Sequence, residues 1–417
     1  MTDPKVRIRM YRTGLGDCHL LMFTPTNGKQ RNILIDCGYF PGSPFSGVTM
    51  EQIAEDIGRS TDNRLDAVVV THEHQDHLQG FMDAAERFQK MTLSELWMAW
   101  TEKPGQKIVQ EKRSIAGLEA AAAGLAISGE SEGDEMAAAI EGMLGFSKGT
   151  DQSFETVKSW FPAGSRKFWN PGEVFEPSWL PGVRVYVLGP PKDLSALRKT
   201  TGKKNVEMYE LAAEQFGFAA AAMDEMEPGS LSPFDGKYAR EKLQAALEKS
   251  YSAPDEEWRR IDTDWLVSAA RLALQLDSYT NNTSLVLAFE LKQSQRVLLF
   301  VGDAQIGNWL SWQSLEFEPD GKGGEKVPAA DLLSRTVFYK VGHHGSHNAT
   351  LVEGGLLGMT SAQLHAAIPT NEDWAKRSKD WEMPNPRLFK ELRKRCVSPI
   401  LRADKAPTGA LFVERAL

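Results

Sequence analysis

The chain has 417 residues, 41% of them hydrophobic and 25% charged, and a formal net charge of −8. That length is too great for one simple core, so two domains or one large domain with insertions is expected, of ordinary globular composition. The acidic balance excludes a broadly basic surface of the kind that grips duplex nucleic acid, leaving room only for a local basic groove.

No apolar run in the sequence is long enough to cross a bilayer, and the start, MTDPKVRIRM, lacks the apolar region of a signal peptide. Cys18, Cys37 and Cys396 show no metal-type spacing, and three thiols cannot all pair. Reduced cysteines in a cytoplasmic protein are expected.

In chain order, VRIRMYR (6–12) alternates as a strand, GLGDC (14–18) turns, and HLLMF (19–23) returns. NILIDCG (32–38) follows the TNGK turn, and LDAVVVTH (65–72) is a continuously apolar run expected to be a strand buried on both faces. LSELWMAW (93–100) is the next strand candidate. Residues 104–148 then turn alanine-rich with helical spacing, broken by the acidic SGESEGDE. VRVYVLGPP (183–191) returns to strand, and 192–278 read as helical again, clearest in EKLQAALEKS and DEEWRRIDTDWLVSAARLALQL. NNTSLVLAFELK (281–292) and RVLLFVGDAQ (296–305) follow as a hairpin-like pair. TVFYKVGHHGSHN (336–348) is a further strand with a polar end, and LHAAIPT (364–370), SPILRA (398–403) and ALFVERA (410–416) are weaker strands. The expectation is one β-rich core with helical insertions at about 101–160 and 192–278, and no internal repeat.

Functional residues gather at strand ends. THEHQDHLQG (71–80) places three of the chain's eight histidines within six residues, beside an acid. Imidazole is a common neutral metal ligand, and a carboxylate adds charge for a hard ion. In an extended stretch His72 and His74 point to one side and can grip one ion, while Asp76 and His77 follow the break and can be aimed at a second. The plain alternative is a polar loop facing water. Ligand types, spacing and the buried strand before them favour half of a two-metal site. Asp303, in LLFVGDAQ, is either a metal-paired acid at the end of a buried strand or a solvated turn acid. One of His343 and His344, in KVGHHGSH, is an expected ligand, with Gly345 allowing an unusual backbone; His347 is a weaker candidate. Asp36, in LIDCG, is expected to orient a histidine, and Asp17 and Ser346 to support the ligands or touch substrate. Lys340 is expected to face solvent, and His19 and His365 to be satisfied core or surface residues.

THEHQDH matches the HxHxDH signature of the metallo-β-lactamase superfamily. GLGDCHLLMF, NILIDCG, NNTSLVLAFE, LLFVGDAQ and YKVGHHGS, in that order, resemble one branch of it, the hydrolase domain of the ComEC/Rec2 DNA-uptake proteins and their stand-alone relatives. The resemblance covers 6–100, about 165–191 and 281–417, and leaves out the helical insertions. It implies an α/β fold, an αββα sandwich, with a dinuclear metal site at one edge. His72, His74 and a histidine of HHGS would hold one ion, Asp76 and His77 would help hold the second, and Asp303 would bridge them. Zinc is the first expectation and manganese the second. Two departures stand out. His77-Leu78-Gln79-Gly80 replaces the family's HxGG, and Met383, in WEMPNPRL, stands where a late histidine would complete the second metal, with Glu382 or a water left to substitute. The membrane channel of the uptake proteins has no counterpart, so a role in DNA uptake is not carried over.

A water between two divalent ions becomes a hydroxide nucleophile near neutral pH, and the same ions stabilise charge on a phosphoryl or carbonyl oxygen. The expected activity is therefore a metal-dependent hydrolase, a phosphodiesterase or nuclease acting on nucleic acid or a small phosphodiester, with Asp76 and Asp303 as the catalytic acids. The alternatives are hydrolysis of a carboxylic ester, thioester or lactone, and a catalytically weak regulatory module in a protein complex, which Met383 would favour. The insertions would act as core packing, through residues such as Trp258 and Trp265, or as a lid or a partner-protein surface. Residues 223–235, MDEMEPGSLSPFD, would form an acidic loop repelling a polyanion from that face.

Overall fold

Alternation of inward and outward side chains along the strands builds two sheets. The first half of the chain supplies β1 (Lys5–Tyr11), β2 (His19–Thr24), β3 (Arg31–Ile35), β4 (Arg64–Val69), β5 (Thr92–Ala99) and β6 (Arg166–Trp169). The second supplies β7 (Val174–Phe175), β8 (Val183–Gly189), β9 (Val286–Leu291), β10 (Arg296–Phe300), β11 (Glu316–Phe317), β12 (Val327–Pro328), β13 (Thr336–Lys340), β14 (His365–Ile368), β15 (Leu401–Arg402) and β16 (Phe412–Ala416). The computed structural model describes residues 2–26, 28–45, 47–106, 150–199, 279–321, 323–379 and 381–417. All of these belong to one compact unit drawn from Met1–Lys112, Gly145–Leu211 and Ser278–Leu417.

One seven-stranded sheet has the order β16-β1-β2-β3-β4-β5-β6, the other β15-β14-β13-β10-β9-β8-β7, and β11 and β12 form a separate hairpin. Each large sheet has an antiparallel part and a parallel part. β16, β1, β2 and β3 run antiparallel, then β3 to β6 run parallel. β7 to β10 run antiparallel, then β10, β13, β14 and β15 run parallel.

The inner faces bury Ile8, Leu21, Phe23, Ile33, Val69 and Trp97 of one sheet with Val185, Val187, Leu287, Phe289, Leu298 and Phe338 of the other. Each such side chain contributes about 1.5–3 kcal/mol relative to exposure. The intervening residues point outward. Leu20, Leu34, Val68 and Leu96 meet Ile53 and Ile57 of α1 (Met50–Ser60), Leu78 and Phe81 of α2 (Gln75–Asp83), Phe88 of α3 (Ala85–Gln89) and Phe154 of α4 (Thr150–Ser159). On the opposite side Val286, Ala288, Leu299 and Tyr339 meet Trp309 and Trp312 of α6 (Ile306–Trp312), which follows the short α5 (Leu194–Leu197). Leu332 and Leu333 of α7 (Ala329–Ser334) and Leu388 and Leu392 of α9 (Pro386–Arg395) complete that layer, and α8 (Glu372–Lys379) precedes α9. The layers are helix, sheet, sheet, helix, consistent with the αββα sandwich that the resemblance implies.

The strands expected from the sequence are present, the weak 398–403 segment only as the two-residue β15. The helices α1, α2, α3, α6, α7, α8 and α9 and the strands β6, β7, β11 and β12 were not anticipated. β6 is partly exposed at every position, so it lacks the alternation that marks a half-buried strand. The middles of the expected insertions, with Trp258, Trp265 and 223–235, lie outside the described residues. Among the described residues no helix is long and apolar enough to cross a membrane.

This topology brings the carboxyl ends of β3, β4, β10 and β13 to one edge of the sandwich, where open α/β sheets commonly bind ligands. The Leu285 N–H donates to the Thr71 carbonyl at 2.9 Å, joining the two sheets at that edge.

Candidate metal centre

β4 ends at Val69, and His72 follows through Val70 and Thr71, fully buried. Its Nε2 lies 3.0 Å from His74 Nδ1, and its Nδ1 lies 3.3 Å from Ser284 Oγ. His74 is the N-cap of α2, so Asp76 and His77 occupy the helix's first turn. A carboxylate there is favoured by the helix dipole. The chain around β1–β2 and β3 holds this turn: the Asp17 N–H donates to the Asp76 carbonyl and the Cys37 N–H to the His77 carbonyl, each at 2.9 Å. Gly38 packs so closely that a Cβ there would lie 2.4 Å from the His77 nitrogen and the Asp76 carbonyl carbon. The glycine of DCG is thus required by the ligand-bearing turn.

Asp36 has a left-handed backbone (φ 55°) and is fully buried. Its Oδ1 accepts the Thr71 N–H at 2.8 Å; its Oδ2 accepts the Thr71 hydroxyl at 2.7 Å and lies 2.7 Å from His77 Nδ1. With Nδ1 held there, His77 presents Nε2 to Asp303 Oδ2 at 3.3 Å and to Asp76 Oδ2 at 3.7 Å. Among the described residues, that Nε2 and Asp76 Oδ1 are buried without a hydrogen-bond partner. Burial alone would depress His77, but the carboxylates of Asp303, Asp76, Asp36 and Asp17 hold it well above the usual histidine range. Four acids around one imidazole call for positive charge.

Asp303 follows β10, beyond Gly302, whose Cβ would lie 2.9 Å from Thr71 Cβ. Its Oδ1 accepts the His343 N–H at 2.9 Å and Lys340 Nζ at 3.1 Å, leaving Oδ2 toward His77 and toward His344 Nε2 at 3.7 Å. Burial raises the Asp303 carboxyl, yet Lys340, His77 and His344 hold it well below its ordinary value. His343 and His344 both adopt left-handed backbone, at φ 42° and 52°. Such strain in two consecutive non-glycine residues is typical of functional turns. His344 points inward: Nε2 lies 2.8 Å from Asp76 Oδ2 and Nδ1 2.6 Å from the Pro369 carbonyl. His343 turns to Ser346 Oγ at 2.8 Å and Gln305 Nε2 at 3.2 Å. Burial pushes both His74 and His343 down to about 4, so they are neutral imidazoles at physiological pH.

Two groups result, each with ligand atoms within 4.8 Å of one another: His72, His77 and Asp303, and Asp76, Asp303 and His344. Asp303 is common to both. The division differs from the expected one, in which His77 sat with Asp76 and the histidine of HHGS with His72 and His74. The first turn of α2 sends the two neighbours to different groups, with His77 facing back toward His72. His74 adjoins the first group through His72, and His343, His347 and Ser346 belong to neither. A third group, Asp17, Asp36 and His77, is already engaged, Asp36 with His77 inside the group and Asp17 with Lys340 outside it. Unpartnered buried ligand atoms and excess carboxylate charge fit the first two groups to divalent ions.

The structure corrects two expectations. Lys340 is 1% exposed rather than solvent-facing, because β13 is covered on both faces and its ammonium reaches Asp17, Asp303 and the Gly302 carbonyl. Among the described residues neither ring nitrogen of the buried His19 has a hydrogen-bond partner, so it is not a satisfied core residue there. Thr71 and Ser284 also join the site, without having been singled out from the sequence; a polar residue next to a buried strand was the signal available. Glu382 is exposed. The Met383–Asn385 segment does lie against the histidine turn, with the Asn385 N–H donating to the Gly345 carbonyl at 2.7 Å and Thr370 Oγ1 donating to the Met383 carbonyl at 3.0 Å.

No curated protein matches the chain. The stretch that supplies Asp36, His72, His74, Asp76 and His77 falls inside residues 31–124, which match the family model of the beta-lactamase superfamily domain, a domain that supports a hydrolase-type function.

Proposed function

We infer that the chain is a metal-dependent hydrolase of phosphodiesters. The observation that carries the reading is the pair of buried ligand groups sharing Asp303. Five residues would hold two ions: His72, His77 and Asp303 one, Asp76, His344 and the same Asp303 the other, with His74 beside His72. Ions bound there would polarise a phosphoryl oxygen and lower the pKa of a water. The chain's own groups do the rest. Asp36 keeps the Nδ1 side of His77 engaged so that Nε2 faces the cluster, as partners of metal-bound imidazoles do. Asp76 Oδ1, buried and without a hydrogen-bond partner among the described residues, is placed to accept a proton. The His344 ring is braced by the Pro369 carbonyl.

The preference for a phosphodiester over a carboxylic ester, thioester or lactone is supported by charge. A groove of about 550 Å³ is lined by Lys390, Arg393 and Lys394 of α9, with Phe389, Pro384, Pro386 and Glu372. Its Pro384 wall packs on Gly345, next to His344, where a Cβ would lie 2.8 Å from Pro384 Cβ. In a chain of net charge −8, this concentration of cations beside the ligand turn suits a phosphate-bearing substrate. The test is hydrolysis of bis(p-nitrophenyl) phosphate, a single-stranded oligonucleotide and p-nitrophenyl acetate by chelator-treated protein given zinc or manganese. Cleavage of the phosphodiesters, abolished in His72→Ala, supports the reading. Turnover of the acetate alone would replace it with an esterase, and no turnover under either metal would leave a binding module.

A further inference from the structure

Lys340 Nζ has three protons and three oxygen partners: the Gly302 carbonyl at 2.7 Å, Asp303 Oδ1 at 3.1 Å and Asp17 Oδ2. A saturated ammonium that is 1% exposed has no donor left for substrate. Its partners come from both sheets, Asp17 from the β1–β2 connection and Asp303 from the end of β10. It also takes hold of one oxygen of the shared carboxylate. With Asp303 Oδ1 bound to Lys340 and to the His343 N–H, Oδ2 is the oxygen left for His77 and His344.

The cluster contains the buried carboxylates of Asp17, Asp36, Asp76 and Asp303. Isolated buried charge is very costly, so such a cluster needs cations whether or not metal is present. We propose that Lys340 is a positioning residue and a built-in counter-ion: it fixes the rotation of the Asp303 carboxylate toward both ligand groups, and it supplies positive charge that holds the site together before metal arrives. The inference rests on the metal-dependent reading above. It differs from a purely structural ion pair in one respect. If the ammonium substitutes for metal charge, removing it costs most when metal is absent.

The test is thermal unfolding of wild type, Lys340→Met and Lys340→Arg, each stripped with chelator and then saturated with zinc or manganese, with bound metal counted by plasma mass spectrometry. Lys340→Met, which leaves the buried carboxylates of Asp17 and Asp303 without their ammonium and with only the neighbouring imidazoles His77 and His344 for positive charge, is expected to melt roughly 10 °C below wild type in chelator. Metal is expected to restore most of that deficit, so its metal-induced rise in Tm is roughly twice that of wild type. Lys340→Arg keeps the charge and is expected to show the wild-type rise. Folding of Lys340→Met only when metal is present supports the proposal in its strongest form. An equal deficit for Lys340→Met with and without metal overturns it, as does Lys340→Arg behaving like Lys340→Met. If Lys340→Met folds in neither condition, Lys340→Gln, which keeps two N–H donors for the buried oxygens but carries no charge, decides: a wild-type metal shift there overturns the proposal, and an enlarged shift upholds it. If wild type itself takes up no metal, the metal-dependent reading fails and takes this inference with it. If wild type binds metal but the shifts are equal, only the inference fails.

Discussion

Replacing Asp303 by asparagine separates the two jobs of that residue. Asparagine keeps the volume, and its carbonyl oxygen can still accept from the His343 N–H and from Lys340, the contacts made by Oδ1 at 2.9 and 3.1 Å. Lys340 also keeps Asp17. The folding cost is therefore that of one weakened charge-assisted contact, about 1–3 kcal/mol, and the variant should fold. The other side of the group changes fully. Oδ2, 3.3 Å from His77 Nε2 and 3.7 Å from His344 Nε2, becomes an uncharged amide nitrogen with no lone pair to give. Both ligand groups lose their common carboxylate, so metal affinity should drop at least about 100-fold, equivalent to roughly 2.8 kcal/mol. Phosphodiester turnover should fall on the order of 100- to 1,000-fold at fixed metal concentration. Plasma mass spectrometry of dialysed protein and steady-state hydrolysis measure the two effects, and the melting temperature checks the fold. An Asp303→Asn protein that retains wild-type metal content and rate would refute the claim that Asp303 serves both groups.

Asp36→Asn removes the carboxylate that holds His77 Nδ1 and the Thr71 backbone, and metal affinity should fall about 10- to 100-fold in a metal titration with the fold intact. Gly38→Ala forces a Cβ to within 2.4 Å of the Asp76–His77 backbone, so the first turn of α2 must shift; a clash of that size should cost roughly 1–3 kcal/mol in denaturant unfolding and lower metal content with it. His19 bears on pH. Burial, with Lys340 and His77 nearby, holds it well below 6.5, so below that pH the unfolded chain binds a proton that the folded one does not. Its contribution is complete above pH 6.5 and is lost as the pH falls, by about 1.4 kcal/mol per unit. His19→Leu should flatten the melting curve against pH between 5 and 6.5 by that slope, and an unchanged slope would contradict it. Lys390→Ala/Arg393→Ala, in the basic groove, should weaken binding of a labelled single strand in fluorescence anisotropy and reduce its salt slope by about 0.7 for each phosphate no longer neutralised, while bis(p-nitrophenyl) phosphate turnover is unchanged.

The local half of the site was legible in the residue order. VVVTHEHQDH announces a buried strand followed by closely spaced candidate ligands, and LLFVGD and KVGHHGS repeat that pattern, because an apolar run of strand length followed by a polar cluster carries its own signal. β1 was readable from period-2 alternation, and β4 from a continuous apolar run that fits a strand buried on both faces. What distance along the chain hides is partnership. His344 meets Asp76 across a separation of 268 residues, and no pattern in either segment encodes that contact or which of two adjacent histidines makes it. The backbone decides it: left-handed φ at both His343 and His344 turns one ring toward Asp76 and the other toward Ser346 and Gln305. Lys340 shows the same limit from the other side. A lysine in an apolar strand reads as a surface residue, since burying its charge alone is prohibitive, and only the folded sandwich supplies Asp17, Asp303 and the Gly302 carbonyl that make its burial stable.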